Sequence, residues 1–228
     1  NPISNVAVNE DVGPQTVNLT GISSGAANEN QTLSIIASSS NPGVVPNPAV
    51  TYTSPASTAA LTFTPAANAS GSATISVTVD DGQSQNNTFT RTFSITVAPV
   101  NDAPTLDPLS NLSLNEDAAS QTVTLTGISS GAANETQTLT VTATSGNPAL
   151  IPNPTVSYAS PNSTGTLGFK PATNATGTAV ITVTVDDGQS LNHSVARTFS
   201  VTVAGLNDPP TLSHVADQNI TGNTSTTI

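Results

Sequence analysis

Most of the acidic side chains in this sequence recur at a fixed spacing. Twelve of the fourteen Asp and Glu residues form such pairs: Glu10, Asp11, Glu29, Asp80, Asp81 and Asp102 are followed by Glu116, Asp117, Glu135, Asp186, Asp187 and Asp208. Carboxylates that are held close together repel one another unless a cation screens them. Six to eight oxygen ligands suit Ca²⁺, whereas Mg²⁺ requires a tighter octahedron with retained water. If the fold gathers these acids, they predict a calcium site.

The spacing of the acids is the period of an internal repeat. Residues 100–106 read V-N-D-A-P-T-L, and residues 206–212 read L-N-D-P-P-T-L. Residues 3–98 align with residues 109–204 without an insertion, and each unit has the size of a small independent domain. The alignment predicts repeat 1 at residues 1–102, repeat 2 at residues 103–208, and the first strand of a truncated third repeat at residues 209–228.

The composition argues against several classes of function. The net charge is −11, and three Lys and Arg residues cannot form the basic surface that nucleic acid or an anionic membrane requires. Cysteine is absent, and no apolar run approaches the ~20 residues of a membrane-spanning helix. A surface rich in Thr, Ser and Asn is typical of secreted repeat proteins. We expect an extracellular or cell-surface protein whose partners are neighbouring repeats of the same chain or other copies.

Apolar and polar residues alternate with a period of two in both repeats. At residues 75–79 and 93–97, apolar side chains alternate with Ser and Thr, which is the pattern of strands with one buried face. In repeat 1 this pattern, with breaks rich in Gly, Pro, Asn and Asp, predicts strands at residues 4–9, 15–22, 31–38, 49–53, 60–64, 73–79 and 89–98. Repeat 2 is predicted to copy them. The fold class is therefore all-β, with tandem seven-stranded antiparallel β-sandwiches of the immunoglobulin type joined end to end, and Tyr52, Phe63 and Phe93 contribute to the core.

This strand order places the acids at the ends of each sandwich. If successive strands run alternately down and up, the first and seventh strands both end at the bottom of the sandwich. The first strand then ends next to Glu10, and the seventh ends next to Asn101 and Asp102. The turn with Glu29 and the hairpin with Asp81 then lie at the top. Stacking repeat 1 on repeat 2 is predicted to gather side chains from both repeats: Glu10, Asp11, Asn101 and Asp102 with Glu135, Asp186 and Asp187.

Over its whole length the chain resembles the cadherin-like and immunoglobulin-like tandem repeats of large bacterial surface proteins and adhesins. In cadherins, Ca²⁺ between domains is bound by a Glu after the first strand, a D-x-D motif between the second and third strands, an Asp after the sixth strand and an Asp/Asn-rich linker before Pro. The resemblance implies Ca²⁺ as the cofactor and metal ligation by the matching residues: Glu10, Glu116, Asp81, Asp187, Asn101, Asp102, Asn207 and Asp208.

The sequence departs from the cadherin pattern at two places. The D-x-D position reads N-E-N at residues 28–30 and N-E-T at residues 134–136, which leaves Glu29 and Glu135 as the candidate ligands there. A D-R-E motif has no counterpart at residues 65–71. Fewer ligands predict one or two weakly held ions at each joint, with dissociation constants of ~10⁻⁴ to 10⁻³ M as in other extracellular modules. In the third copy the Glu position has become Gly222.

Each candidate ligand also has a purely structural interpretation. Asn101 and Asp102 before Pro104 are typical of an Asx turn that stiffens a linker without an ion. The D-D-G sequence at residues 80–82 is typical of a hairpin turn, and a single loop Glu such as Glu29 is usually just exposed. We favour calcium because a turn alone does not require acids in three other segments.

Catalysis finds little support in the sequence. The two His residues, His193 and His214, have no counterpart in repeat 1, and no set of nucleophile, base and orienting acid is repeated. A zinc site would need several His or Cys ligands. The sequence therefore predicts a protein that is not an enzyme and has no catalytic residues.

Three non-catalytic functions fit these observations. The preferred one is a spacer or stalk, rigidified by Ca²⁺, in a cell-surface adhesin or an extracellular fibre. The second is an adhesive module that binds a glycan or protein through its loops, although the near-identity of the two repeats argues against specialised loops. The third, a subunit that assembles end to end into a filament, is compatible with the first.

Overall fold

A computed structural model of the chain describes residues 1–26, 28–214 and 216–217. Of the predicted third-repeat segment 209–228, the described residues 209–214, 216 and 217 form no strand, and Gly222 lies outside the described residues. Within the described ranges, no helix has the length and hydrophobicity that crossing a membrane would need.

In the described residues, each repeat contains seven β-strands, which confirms the predicted all-β fold. Repeat 1 contains β1 (Val6–Asn9), β2 (Gln15–Thr20), β3 (Ser34–Ser39), β4 (Ala49–Thr51), β5 (Thr58–Phe63), β6 (Gly71–Asp80) and β7 (Thr88–Ala98). Repeat 2 contains β8 (Leu112–Asn115), β9 (Gln121–Leu125), β10 (Thr140–Ser145), β11 (Thr155–Ser157), β12 (Gly165–Phe169), β13 (Gly177–Asp186) and β14 (Ser194–Ala204). The third strand begins later than residue 31 because the backbone N–H of Leu33 donates to Ser54 Oγ (3.1 Å) instead of to a neighbouring strand.

The seven strands of each repeat form two sheets. In repeat 1 the orders are β1-β7-β6-β3 and β2-β5-β4, and repeat 2 has the same orders in β8-β14-β13-β10 and β9-β12-β11. One pairing departs from the predicted antiparallel arrangement, because β1 pairs in parallel with β7, and β8 pairs in parallel with β14. The first and last strands of a repeat therefore end at the same end of the sandwich, as the predicted strand directions require.

Each sandwich has its own hydrophobic core. The core of repeat 1 is centred on Leu61, Ile75 and Ile95, which are completely buried, and Phe63 and Phe93 pack there as predicted. Tyr52 packs against the same cluster at its edge. A second cluster fills repeat 2. Alternation in burial along β6 and β13 explains why the period of two in the sequence located these strands.

The linker between the sandwiches is fastened to repeat 2. Pro104 and Leu106 are buried, and Leu106 belongs to the core cluster of repeat 2. The backbone N–H of Thr105 donates to Ser129 O (3.0 Å), and Arg197 Nε donates to Leu106 O (3.0 Å). The linker is thus a packed segment of repeat 2, not a free tether.

Core packing of repeat 1 can be tested with two isoleucines. Ile75→Ala is expected to destabilise the repeat by roughly 2–5 kcal/mol, because it leaves a cavity at a fully buried position. Ile36→Ala, at a position that is 67% exposed, is expected to change stability by no more than about 0.5 kcal/mol. Urea unfolding followed by circular dichroism, with hydrogen exchange to assign the transition to repeat 1, measures both. Equal effects of the two substitutions would contradict this description of the core.

Candidate metal site between the two repeats

The repeat 1 side of the joint is built on the end of β1. Glu10 directly follows β1, and its backbone N–H donates to Ala98 O (2.9 Å), which continues the parallel pairing with β7. Its carboxylate is 2% exposed. Oε1 accepts a hydrogen bond from the backbone N–H of Val100 (2.8 Å), and Oε2 accepts one from Asn134 Nδ2 of repeat 2 (3.0 Å). A single buried carboxylate therefore connects repeat 1, the linker and repeat 2.

The linker residues Asn101 and Asp102 face repeat 2. The backbone N–H of Asp102 donates to Glu135 Oε1 (2.8 Å). Gln137 Nε2 donates to Asn101 Oδ1 (2.9 Å), and Asn192 Nδ2 donates to Asn101 O (3.0 Å). The linker is thereby held against both the loop before β10 and the β13–β14 hairpin.

Repeat 2 contributes two carboxylates. Glu135 lies in the loop before β10, where its Oε2 also accepts from the backbone N–H of Ala132 (3.3 Å). Asp187 follows β13 and is 4% exposed; its Oδ1 accepts from the backbone N–H of Gln189 (2.9 Å) and its Oδ2 from Asn101 Nδ2 (2.9 Å). We call the residues that meet here the junction cluster: Glu10, Asn101, Asp102, Asn134, Glu135, Gln137 and Asp187.

Within the described residues, no basic side chain forms an ion pair with a carboxylate of the junction cluster. Among the described residues, the single ion pair joins His193 to Asp186 and involves none of the cluster carboxylates. Burial raises the pKa of the Asp102 carboxyl above its usual value, and the carboxylates of Asp11, Glu135 and Glu10 raise it further. Folding therefore places Asp102 where its ionised form is disfavoured.

Two buried oxygen atoms of the cluster, Asp102 Oδ2 and Gln137 Oε1, have no hydrogen-bond donor within the described part of the chain. Gln31, the counterpart of Gln137 in repeat 1, has the same unpaired oxygen, so that feature belongs to the repeat itself. The unpaired Asp102 oxygen arises at the joint. A buried acceptor without a donor is costly, and a cation or an ordered water is the usual partner.

The amide of Asn101 lies in a cage of oxygen atoms. Its Nδ2 is 2.9 Å from Asp187 Oδ2, 3.0 Å from Asp102 O, 3.0 Å from Leu191 O and 3.5 Å from Asn192 O. An amide nitrogen carries two hydrogens and cannot satisfy four acceptors. Oxygen atoms of carboxylate, amide and backbone carbonyl groups are the ligands that Ca²⁺ takes, so the donor types at this joint fit that ion.

The described residues contain no group of three or more His, Cys, Asp or Glu side chains arranged to hold a metal ion. At the joint, two of the carboxylates accept hydrogen bonds from amides: Asp187 from Asn101, and Glu10 from Asn134. An ion here would thus depend on amide and backbone oxygens together with the acids.

The other predicted ligands lie at the two outer ends of the pair of repeats. Glu29 and Asp81 accept hydrogen bonds from their own loops, Glu29 Oε2 from the N–H of Ala26 (3.0 Å) and Asp81 Oδ1 from that of Gln83 (3.0 Å). At the end of repeat 2, Glu116 Oε1 accepts from the N–H of Leu206 (2.6 Å). The remaining predicted ligands there are Asn207 and Asp208, where Asn207 Nδ2 donates to Asp208 O (3.2 Å). Each outer end therefore carries one half of a joint.

Two acids predicted to converge have other contacts. Asp11 Oδ1 accepts from the N–H of Asn68 (2.9 Å), so it acts on Asp102 through its charge. Asp186 bonds to the N–H of Gly188 (2.7 Å) and to His193 Nδ1 (2.8 Å), contacts that lower its pKa. The prediction that Asp186 joins the cluster is wrong, because Asp186 still belongs to β13 and its side chain is used within its own hairpin.

Sequence analysis missed Gln137 as a member of the cluster. Its counterpart Gln31 occupies the same place in repeat 1, so recurrence was an available signal. Glutamine gives no charge pattern, however, and only the geometry shows Gln137 Nε2 bonded to Asn101 Oδ1.

Comparison with known proteins finds similarity in structure but not in sequence. No protein-family model and no curated protein sequence matches the chain. Protocadherin gammaB7 EC3-6 is 16% identical with a TM-score of 0.49, and the match covers 91% of this chain and 48% of that one. Human CDH23 EC21-23 is also 16% identical (TM-score 0.44), covering 90% and 73%. The titin domains z1z2 are 13% identical (TM-score 0.34), covering 90% and 95%.

The charge at Asp102 can be tested in the presence of a chelator. Asp102→Asn is expected to raise the melting temperature at neutral pH, because it removes a charge that neighbouring carboxylates repel. The folded state binds the Asp102 proton more tightly than the unfolded state, so wild-type stability falls as the pH rises from the ordinary Asp value of 3.8 through the raised pKa. The advantage of Asp102→Asn should therefore grow between about pH 4 and pH 7.

The matched control for Asp102→Asn is Asp208→Asn, at the same position of the outer linker. Asp208→Asn should change the melting temperature little, both at about pH 4 and at pH 7. A lower melting temperature for Asp102→Asn at both pH values would show that the Asp102 carboxylate stabilises the joint without a cation.

Proposed function

We propose that this protein is a non-catalytic extracellular structural repeat whose joints are stiffened by Ca²⁺, and that it acts as a spacer or stalk of a cell-surface adhesin or an extracellular fibre. The observation that carries the proposal is the carboxylate of Asp102. It has a buried oxygen without a donor, its pKa is raised, and three other acids act on it electrostatically. A bound divalent cation would remove this repulsion and supply the missing partner.

Two kinds of side chain would supply the ligands at such a site. Glu10, Asp102, Glu135 and Asp187 provide the carboxylates, and Asn101 and Gln137 provide the amide oxygens. Ca²⁺ supplies positive charge when it is bound. The ligands come from the residue that follows β1, the linker, the loop before β10 and the β13–β14 hairpin, so one ion would restrain four segments at once.

Stiffening follows from where the restraint acts. Residues 104–106 are already packed on repeat 2, and Glu10 holds the N–H of Val100 at the end of repeat 1. Residues 101–103 connect these two anchors, and hydrogen bonds hold Asn101 and Asp102 to repeat 2. These are the residues that an ion would clamp further. Without the ion, repulsion between the carboxylates of the two repeats favours a bent or open joint.

The outer half-joints extend the proposal along an array. Glu29 and Asp81 at one end, and Glu116, Asn207 and Asp208 at the other, correspond in position to residues of the central joint. In a series of such repeats each joint would use the same ligand types. The chain would then act as a rod of constant spacing, and no reaction chemistry is required of it.

Calcium binding should stabilise the joint in a residue-specific way. With a dissociation constant of ~10⁻⁴ to 10⁻³ M, roughly 10 mM Ca²⁺ is expected to stabilise the folded protein by about 1.4 to 2.7 kcal/mol. Glu135→Gln should remove most of this gain, whereas Glu29→Gln, the same substitution in the outer loop, should leave it intact. Thermal unfolding with and without chelator measures the gain, and identical behaviour of the two variants would contradict a site at this joint.

The rod should also lengthen when calcium binds. Small-angle X-ray scattering is expected to show a larger maximum dimension in Ca²⁺ than in chelator, because the joint straightens. Asp187→Asn should abolish the difference, and Asp81→Asn is the matched control that should retain it. Calcium-independent scattering profiles of the unmodified protein would refute the stiffening mechanism.

A further inference from the structure

Gly131 lies against the linker, with no room for a side chain between them. It belongs to the loop between β9 and β10, and its φ is 114°. A Cβ atom at this position would lie 2.7 Å from Ala103 O, 2.8 Å from Asp102 Cβ and 3.0 Å from Asp102 C. Carbon atoms in ordinary contact are about 3.5–4.0 Å apart. Any side chain at position 131 would therefore push the linker back by roughly 1 Å.

Neither side of this contact can yield easily. On one side, Leu106 anchors the linker in the core of repeat 2. On the other side, the loop is braced by its own hydrogen bonds, in which the backbone N–H of Gly131 donates to Ser129 Oγ (3.3 Å) and Ser130 Oγ donates to Glu135 O (3.2 Å). The close approach is therefore fixed by the packing of both segments.

Two of the hydrogen bonds that join the linker to repeat 2 lie on either side of Gly131. The backbone N–H of Thr105 donates to Ser129 O (3.0 Å), just before Gly131, and that of Asp102 donates to Glu135 Oε1 (2.8 Å), just after it. Hydrogen bonds of this kind are about 2.7–3.2 Å long. A linker displaced by roughly 1 Å would lose both of them.

An ion site tolerates less displacement than this. Metal ligands have to lie within about 0.2 Å of their ideal distances. Asp102 and Glu135 are two carboxylates that the proposed ion would bring together, and Glu135 is held by its own loop. A retreat of the linker by roughly 1 Å would take Asp102 out of ligand range of an ion that Glu135 binds.

We propose that Gly131 is a positioning residue of the joint. Because it has no side chain, the linker backbone approaches repeat 2 closely enough for Asp102 and Glu135 to bind one cation. The inference rests on the proposed calcium site and adds to it a residue that contributes no ligand. It also makes repeat 2 selective, since a module with a larger residue here could not receive residues 102–103 in this position.

Gly25 separates the effect of space from the effect of backbone conformation. It is the counterpart of Gly131 in repeat 1, and its φ is 107°, close to that of Gly131. A Cβ atom at Gly25 would approach Glu29 Oε2 at 3.1 Å, which is the end of a flexible side chain. Alanine at either position therefore carries similar backbone strain, whereas only alanine at position 131 meets the main chain of the linker.

The first test is a Ca²⁺ titration of the whole chain, followed by the NMR signals of Asp102 and Glu135. Gly131→Ala is expected to weaken binding by roughly 10–100-fold, as when a group that orients a metal ligand is removed. Gly25→Ala is the matched control and should bind as the unmodified chain does. Unweakened binding by Gly131→Ala would overturn the inference.

The second test is amide hydrogen exchange in chelator, which reports the position of the linker without an ion. The N–H groups of Asp102 and Thr105 should lose protection in Gly131→Ala and keep it in Gly25→Ala. Ile181, in the core of repeat 2, should stay protected in both variants and so show that the repeat is folded. Unchanged protection of Asp102 and Thr105 in Gly131→Ala would overturn the inference. If the unmodified chain binds no Ca²⁺ but Gly131→Ala still frees the linker, the calcium site fails and the positioning role stands.

A third variant, Gly131→Asn, guards against a loss of folding caused by backbone strain. Asparagine tolerates positive φ better than alanine does, and this chain holds Asn68 and Asn174 at a φ of 53°. Gly131→Asn still adds a side chain, so it should free the linker as Gly131→Ala does. If Gly131→Asn kept the protection of Asp102 and Thr105, position 131 would require only its backbone conformation, and the inference would be wrong.

Discussion

The parallel pairing of the first and last strands of each repeat is the constraint on which the joint depends. Asn9 lies opposite Ala98 in this pairing, so β1 and β7 finish at the same end of the sandwich. The chain leaves repeat 1 beside the carboxylate of Glu10, which holds the N–H of Val100 as it passes. With an antiparallel pairing, Glu10 would lie at the opposite end and could not contact repeat 2.

The linker then fixes repeat 2 next to the end of repeat 1 that carries Glu10. Leu106 is buried in the core of repeat 2, and Thr105 bonds to Ser129. Because the anchors at Val100 and Thr105 are a few residues apart, the carboxylates of both repeats are held against each other. The hydrophobic effect on Leu106 thus drives both the burial of Asp102 and the approach of like charges. Burial is the larger cause of the raised pKa of Asp102, and the neighbouring carboxylates add to it. Apolar burial and charge repulsion oppose each other at one joint.

Sequence reasoning succeeded where a pattern is repeated by many residues. The alternation of apolar side chains located all seven strands of each repeat, because one face of every strand has to be buried. Recurrence of the acids located the ends of the sandwich. The sequence patterns did not predict contacts that depend on a single side chain. Asp186 bonds to His193 and Gly188, and Gln137 bonds to Asn101. Leu106 is buried in a core, which its position in a linker did not suggest.

The sequence by itself determined the repeat period, the all-β architecture and the concentration of acids at the ends of each unit, since these follow from residue type and spacing along the chain. The tertiary structure decided which carboxylates face one another, which oxygen atoms lack a donor, and that Leu106 of the linker is buried in the core of repeat 2. Those properties depend on distances between segments that lie far apart along the chain, from 33 residues for Asp102 and Glu135 to 90 for Glu10 and Val100. Such distances are set by strand pairing and side-chain packing and leave no periodic trace in the sequence.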